Sequence, residues 1–223
     1  MRSASKRRAI LMSSMVVAAL PTTIDAAARA GAGPRFEQAF ATAGAPAHFH
    51  ARLAYRAPDG VHHVEVWRDG ATRVRRDTDG RLISIATRRR ARDTDFRLDL
   101  FDRSRRLHTI VDRTSLYRVG RFTDWNDLAF GIRPPADRYS VVAVPQGSDA
   151  PAACRWYALE TEGHRTLICW SREQAFPMLM RDSRGREIWR VTAFDNAAPA
   201  AALFRPDEKG YIVNNAARDI AGD

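Results

Sequence analysis

The sequence predicts a mainly β (α+β) chain: one antiparallel sheet of roughly ten or eleven strands, with an N-terminal helix and a helical insertion near the middle. Three observations predict it. Apolar and polar residues alternate through most of the chain, as in Phe49, Ala51, Leu53 and Tyr55 against His50, Arg52 and Arg56. Turn pairs punctuate these runs at strand-length spacing: Asp59-Gly60, Asp69-Gly70, Asp79-Gly80 and Arg184-Gly185. Helical spacing appears in only a few short stretches.

The first such stretch is the N-terminal one, and it reads as an address. Lys6, Arg7 and Arg8 precede an apolar run from Ile10 to Leu20, and Ala28-Arg29-Ala30 supplies a small-residue cleavage site. That order is an export signal over residues 1–30, cleaved near Ala30, and its apolar run is too short to span a bilayer. The paired arginines leave the general and the twin-arginine export routes both open. No cysteine lies near the cleavage site, so the expected product is an unanchored periplasmic protein, a single domain over residues 31–223.

Pro34 to Ala41 reads as a short helix with Phe36, Ala39 and Phe40 on one face, ended by Gly44-Ala45-Pro46. Four strands follow from Phe49 to Thr87 as a meander. Thr94 to Phe101 alternates again, then Arg106 to Val119 supplies one or two more strands. Phe122, Trp125, Leu128 and Ala129 sit at helical spacing, with Gly120 before and Gly131-Pro134-Pro135 after. Strands resume at Tyr139, Cys154, His164, Met178 and Glu187, and Gly210 to Val213 makes a short last one. Several of these strands are apolar on both sides. In Glu187 to Phe194, Trp189 and Val191 oppose Ile188 and Phe194. A sheet with water on one side does not do this, so one face packs on helices and the other on itself or around a cavity.

Only two cysteines occur, Cys154 and Cys169. In an oxidising compartment two thiols pair sooner than they bind metal or catalyse. With Glu160 to Gly163 as a four-residue turn, Cys154 faces Cys169 across a hairpin, and the expected disulfide is a staple.

The formal charge of +10 shrinks to +6 once the five basic residues and one acidic residue of the signal are removed from totals of 36 and 26. Acidic residues are interspersed with the basic ones, and no nucleic-acid recognition motif is present. Arg88-Arg89-Arg90 with Arg92 is the densest run, a solvated loop or a docking point for an acidic partner or lipid head groups. His48 and His50 share a strand face beside His62 and His63, but the last two point to opposite faces, so solvated histidines are expected and no metal. No nucleophile elbow, phosphate loop or dinucleotide fingerprint occurs, and neither an enzyme nor a cofactor is expected.

The order of parts resembles the LolA/LolB-like periplasmic lipoprotein-carrier half-barrel, a fold shared by the RseB/MucB sensors. "FEQAFATAGAPAHFHARLAY" resembles the family's opening helix and strand, and "ALFRPDEKGYIVNN" its closing strand. Cys154 to Asn196, with "FPMLMRDSRGREIWRVTAFD", is closest to the RseB/MucB N-terminal domain. The resemblance implies a half-barrel around a greasy cavity, with the helical insertion as a lid and no catalysis. It implies as ligand the acyl chain of a lipid or lipoprotein, carried or chaperoned. The residues expected to line the site are Trp67, Phe96, Trp125, Phe130, Trp170, Met178, Met180 and Trp189. The alternative is an RseB-type envelope-stress regulator that binds an anti-sigma factor, and the protein partner expected is an inner-membrane protein or an anti-sigma factor. A periplasmic hydrolase with unrecognised residues is the third reading.

Overall fold

In the computed structural model the described residues are 33–112, 124–145, 154–205 and 207–216; the expected export signal, Phe122 and residues 113–119 of the expected Arg106 to Val119 strands fall outside them. Helix α1 is Phe36–Ala39. Six strands follow: β1 His48–Ala57, β2 Gly60–Asp69, β3 Arg73–Thr78, β4 Leu82–Thr87, β5 Arg97–Asp102 and β6 Leu107–Val111. Helix α2 is Trp125–Phe130. Then come β7 Tyr139–Ala143, β8 Arg155–Thr161, β9 His164–Ser171, β10 Phe176–Arg181 and β11 Glu187–Asp195. A 3-10 turn at Ala201–Phe204 leads to β12, Ile212–Asn215.

The twelve strands of the described residues form one open sheet, ordered β12-β6-β5-β4-β3-β2-β1-β11-β10-β9-β8-β7. It consists of two meanders, β1–β6 and β7–β11, joined along a single seam where β1 pairs with β11 from His50↔Asp195 to Tyr55↔Trp189. The architecture is the mainly β sheet that the alternation predicts and is consistent with the expected half-barrel, with twelve strands among the described residues in place of ten or eleven. The last strand departs from expectation. It runs parallel to β6, Ile212 opposite Leu107, because the chain returns across the sheet through the 3-10 turn and does not double back by a hairpin.

The face that carries the helices, called inner here, holds two packed clusters. Phe49, Leu53, Val64, Val66, Val74 and Leu98 lie under Trp125, Leu128 and Ala129 of α2. Phe36, Ala39 and Phe40 of α1 cover Tyr157, Ile168 and Trp170. The two-sided apolar strands are explained on the opposite, outer face. There Leu203, Phe204 and Tyr211 of the C-terminal segment pack over Ile83, Ile85 and Phe101. A second outer cluster surrounds the cysteines, with Trp156, Leu179 and Met178.

The Cys154–Cys169 disulfide forms, with Cα atoms 5.4 Å apart, but the hairpin register differs from the expected one. Thr161 pairs with His164, so only Glu162 and Gly163 make the connection, Gly163 at φ +76°. Cys169 therefore faces Trp156. Cys154, two residues before Trp156 and so on the same side of the strand, reaches Cys169 diagonally.

Candidate functional site

Helix α2 defines the site because it is laid over the β1–β5 part of the sheet's inner face. Asp124 caps it by accepting from the Asn126 amide at 2.6 Å. Gly131 ends it in the left-handed region at φ +69°, donating to the Asp127 carbonyl at 3.1 Å. A side chain at Gly131 would also meet Pro177 and Phe176 at 3.2–3.3 Å, so the helix ends close against β10.

The eight residues expected to line a greasy cavity divide three ways. Phe96, Trp125 and Trp170 are on the inner face but buried in the chain's own core, Trp170 with no exposure at all. Phe96 and Trp125 meet edge to face at 5.9 Å, and Trp170 lies 5.5 Å from Phe40 of α1. Phe130, Met180 and Trp189 are also on the inner face and stay half-buried. Trp67 and Met178 are on the outer face. Trp67 stacks on His50 at 5.1 Å, and Met178 packs beside the disulfide. Alternation alone did not say which face the helices cover, and these two residues have the opposite parity.

The uncovered part of the inner face is a half-buried strip formed by Tyr55, Leu100, Val191, Phe194, Met180 and Trp189. Trp189 keeps its indole N–H satisfied, donating to the Pro177 carbonyl at 2.8 Å. Two arginines that the sequence reading passed over stand on this face. Arg76 pairs with Val66 and Ser84 across the sheet, which directs it inward. It is half-buried, and among the described residues it makes no hydrogen bond or ion pair. Desolvation pushes its guanidinium below the ordinary arginine value, with Asp127 of α2 and Tyr55 as the nearest opposing influences.

Arg68 is 2% exposed. Its guanidinium lies between the rings of Phe49 and Phe130, 4.5 and 4.7 Å from their centroids. It donates to the Ala129 carbonyl at 3.2 Å and the Pro46 carbonyl at 2.9 Å. Burial without a carboxylate holds its pKa down to about 10. The cation thus caps the C-terminal end of α2, where carbonyls lack intrahelical partners. Both arginines share the parity of Val64, Val66 and Val74, which is the signal that would have found them. Arg68→Met keeps the packing but strips two carbonyls of their donor. Urea unfolding should register a loss of about 1–3 kcal/mol; unchanged stability would mean that the clamp contributes nothing.

At the other end of α2, Arg88 lies 4.0 Å over the Trp125 ring. It borders a pocket of about 190 Å³ lined by Arg88, Arg92, Asp93, Thr94, Phe96, Asp124, Trp125 and Asn126. Two cations and two carboxylates leave this pocket close to neutral. Among the described residues no cluster of His, Cys, Asp or Glu is arranged to hold a metal ion. The histidines are not simply solvated as expected, since His48, His50, His62 and His108 each approach carboxylates. Among the described residues no helix is long and apolar enough to cross a membrane.

No protein-family model and no curated protein matches the chain. Among solved structures it is similar to MucB, at 14% identity and a TM-score of 0.38, over 75% of this chain and 60% of that one. It is also similar to MucB in complex with MucA(peri), at 15% identity and a TM-score of 0.37, over 76% of this chain and 57% of that one. The chain therefore spans less than two thirds of either neighbour's length.

Proposed function

We propose that this chain is an exported, non-catalytic binding protein of the RseB type: it holds a segment of an anti-sigma factor and responds to an amphiphile on its inner face. The observation that carries the reading is how that face is divided. Helices α1 and α2 spend Phe96, Trp125 and Trp170 on the chain's own core, while Tyr55, Leu100, Met180 and Trp189 remain half-buried on the face that also carries Arg76. A full-time carrier needs an open cavity. Here Phe96 and Trp125 become available only if α2 moves and Trp170 only if α1 does, so ligand and helices compete for one surface. Such competition is what a sensor uses, because a ligand shifts an equilibrium only by binding one state better.

The partner reading draws on the resemblance of Cys154 to Asn196 to the RseB N-terminal domain, a stretch that folds as the contiguous strands β8–β11. A second reading, a carrier or chaperone of lipidated cargo, uses the same half-exposed strip and requires no protein partner. The adaptable Met180 on that strip is the feature that favours it.

One titration series separates the readings. Acyl amphiphiles of increasing length are added to the exported chain, with and without the periplasmic segment of an anti-sigma factor from the same organism. Affinity should climb with length, each buried methylene adding about 0.8 kcal/mol, and then level off. Bound anti-sigma segment should be released as amphiphile is added. Amphiphile binding with no segment binding selects the carrier. Affinity that ignores chain length, or turnover of an ester-linked analogue, would sink both.

A further inference from the structure

The histidines show a pattern that the ligand-binding reading does not use. Three of them sit between two carboxylates drawn from separate parts of the chain. His62 Nδ1 is 2.7 Å from Asp79 Oδ2 and its Nε2 is 3.0 Å from Asp59 Oδ1. His108, fully buried, has Nε2 2.8 Å from Asp99 Oδ1 and Nδ1 3.4 Å from Glu208 Oε1. His50 has Nδ1 3.2 Å from Asp195 and Nε2 3.7 Å from Glu65. Carboxylates only accept, and neutral imidazole carries a single N–H, so only imidazolium can donate to both neighbours.

Each histidine stands at a join. His62 ties the β1–β2 turn to the β3–β4 turn, where Asp79 also accepts from the His63 amide at 2.8 Å. His50 links β1 to both its neighbours, β2 and β11. His108 links β6 to β5 and to the C-terminal segment that covers the outer face. The second nitrogens of His108 and His50 are buried and make no hydrogen bond, although a carboxylate stands within 3.4 and 3.7 Å.

We propose that the fold carries an acid-tightened clasp: mild acidification charges His62, between Asp79 and Asp59, and draws the β1–β2 and β3–β4 turns more firmly together. The other groups facing the three histidines are few. Tyr55 stacks on His62, with Arg76 acting on Tyr55. Phe101 stacks on His108 at 4.1 Å and Tyr211 meets Phe101 edge to face at 5.4 Å, while Arg97 chelates Asp99. Trp67 stacks on His50.

The sign follows from the neighbours of His62. Its pKa is raised above the ordinary 6.5, first by the hydrogen bond to Asp79 and then by that to Asp59. Its contribution is therefore complete below the ordinary value and lost as pH rises through the raised one. Asp59 is held below its ordinary 3.8, chiefly by His62, and Asp79 chiefly by the His63 amide. Their contributions persist until pH falls through those lowered values, so the tightened window lies between the carboxylate and imidazole ranges.

The test is the melting temperature of the exported chain between about pH 8 and about pH 5. It should rise as pH falls. His62→Gln should remove most of the rise, and Asp59→Asn part of it. The His62 ring followed by NMR should titrate above 6.5 and move down in Asp79→Asn. A melting temperature that stays flat or falls over this interval, or a rise that survives both substitutions, overturns the proposal.

Discussion

Replacing Trp125 with alanine will cost about 3–5 kcal/mol of stability, the range for removing a large buried aromatic from a core. Trp125 is 6% exposed, meets Phe96 edge to face and carries the Arg88 guanidinium on its ring. Its loss therefore removes an apolar contact and a cation–π contact together and leaves a cavity under α2. The two roles available to this residue part company in the readout. A lid residue would lose amphiphile affinity with little loss of melting temperature. The packing here makes the stability loss dominant, with any change in affinity following from the loosened helix. Urea unfolding beside amphiphile titration separates them, and an unchanged unfolding midpoint would remove Trp125 from the core.

Deleting the disulfide should have the next largest effect. Fifteen residues separate Cys154 from Cys169, and a closed loop of that size restricts the unfolded chain by about 3 kcal/mol. For a chain of this length that corresponds to a fall of about 6–12 °C in melting temperature. The pair Cys154→Ala and Cys169→Ala is the cleaner test, since both sulfurs lie in an apolar cluster with Trp156 and Leu179, where serine would bury hydroxyls. Equal melting temperatures for the oxidised and alanine forms would show that the bridge adds nothing.

What the sequence revealed was the local part of the structure. Phe49, Ala51 and Leu53 alternate because one side of β1 is buried, and that period survives any arrangement of the other strands. Asp79-Gly80 predicts a turn because both residues adopt positive φ, 54° and 64°. Long-range facts were not legible in the same way. The resemblance puts Trp67 and Trp125 in one candidate site, but only the position of α2 says that Trp67 faces away from it. The Cys154 hairpin was read with a four-residue turn, and the two-residue connection moved its register while leaving the bridge within diagonal reach. Arg68 and Arg76 were hidden by the expectation that arginine is solvated. Each is on the buried side of its strand, held by carbonyls and rings in one case and recessed beside α2 in the other. The histidine clasps depend on partners up to 145 residues distant, as with His50 and Asp195, which no spacing rule predicts.

The seam between β1 and β11 has a consequence for how the chain reaches this state. Each meander is built of neighbouring hairpins, whose ends are close in sequence and meet quickly. The seam alone must bring together strands about 140 residues apart, as Ala51 opposite Phe194, and such pairings slow folding because loop closure precedes any gain from the contact. Two half-sheets should therefore accumulate first, each presenting a long unpaired strand edge, β1 on one and β11 on the other. Those edges are the places where a second chain could pair in error before the seam closes. Refolding at rising protein concentration should then lose yield, and substitutions at Leu53 or Val191 should slow the last phase more than those at Val74 or Ile168.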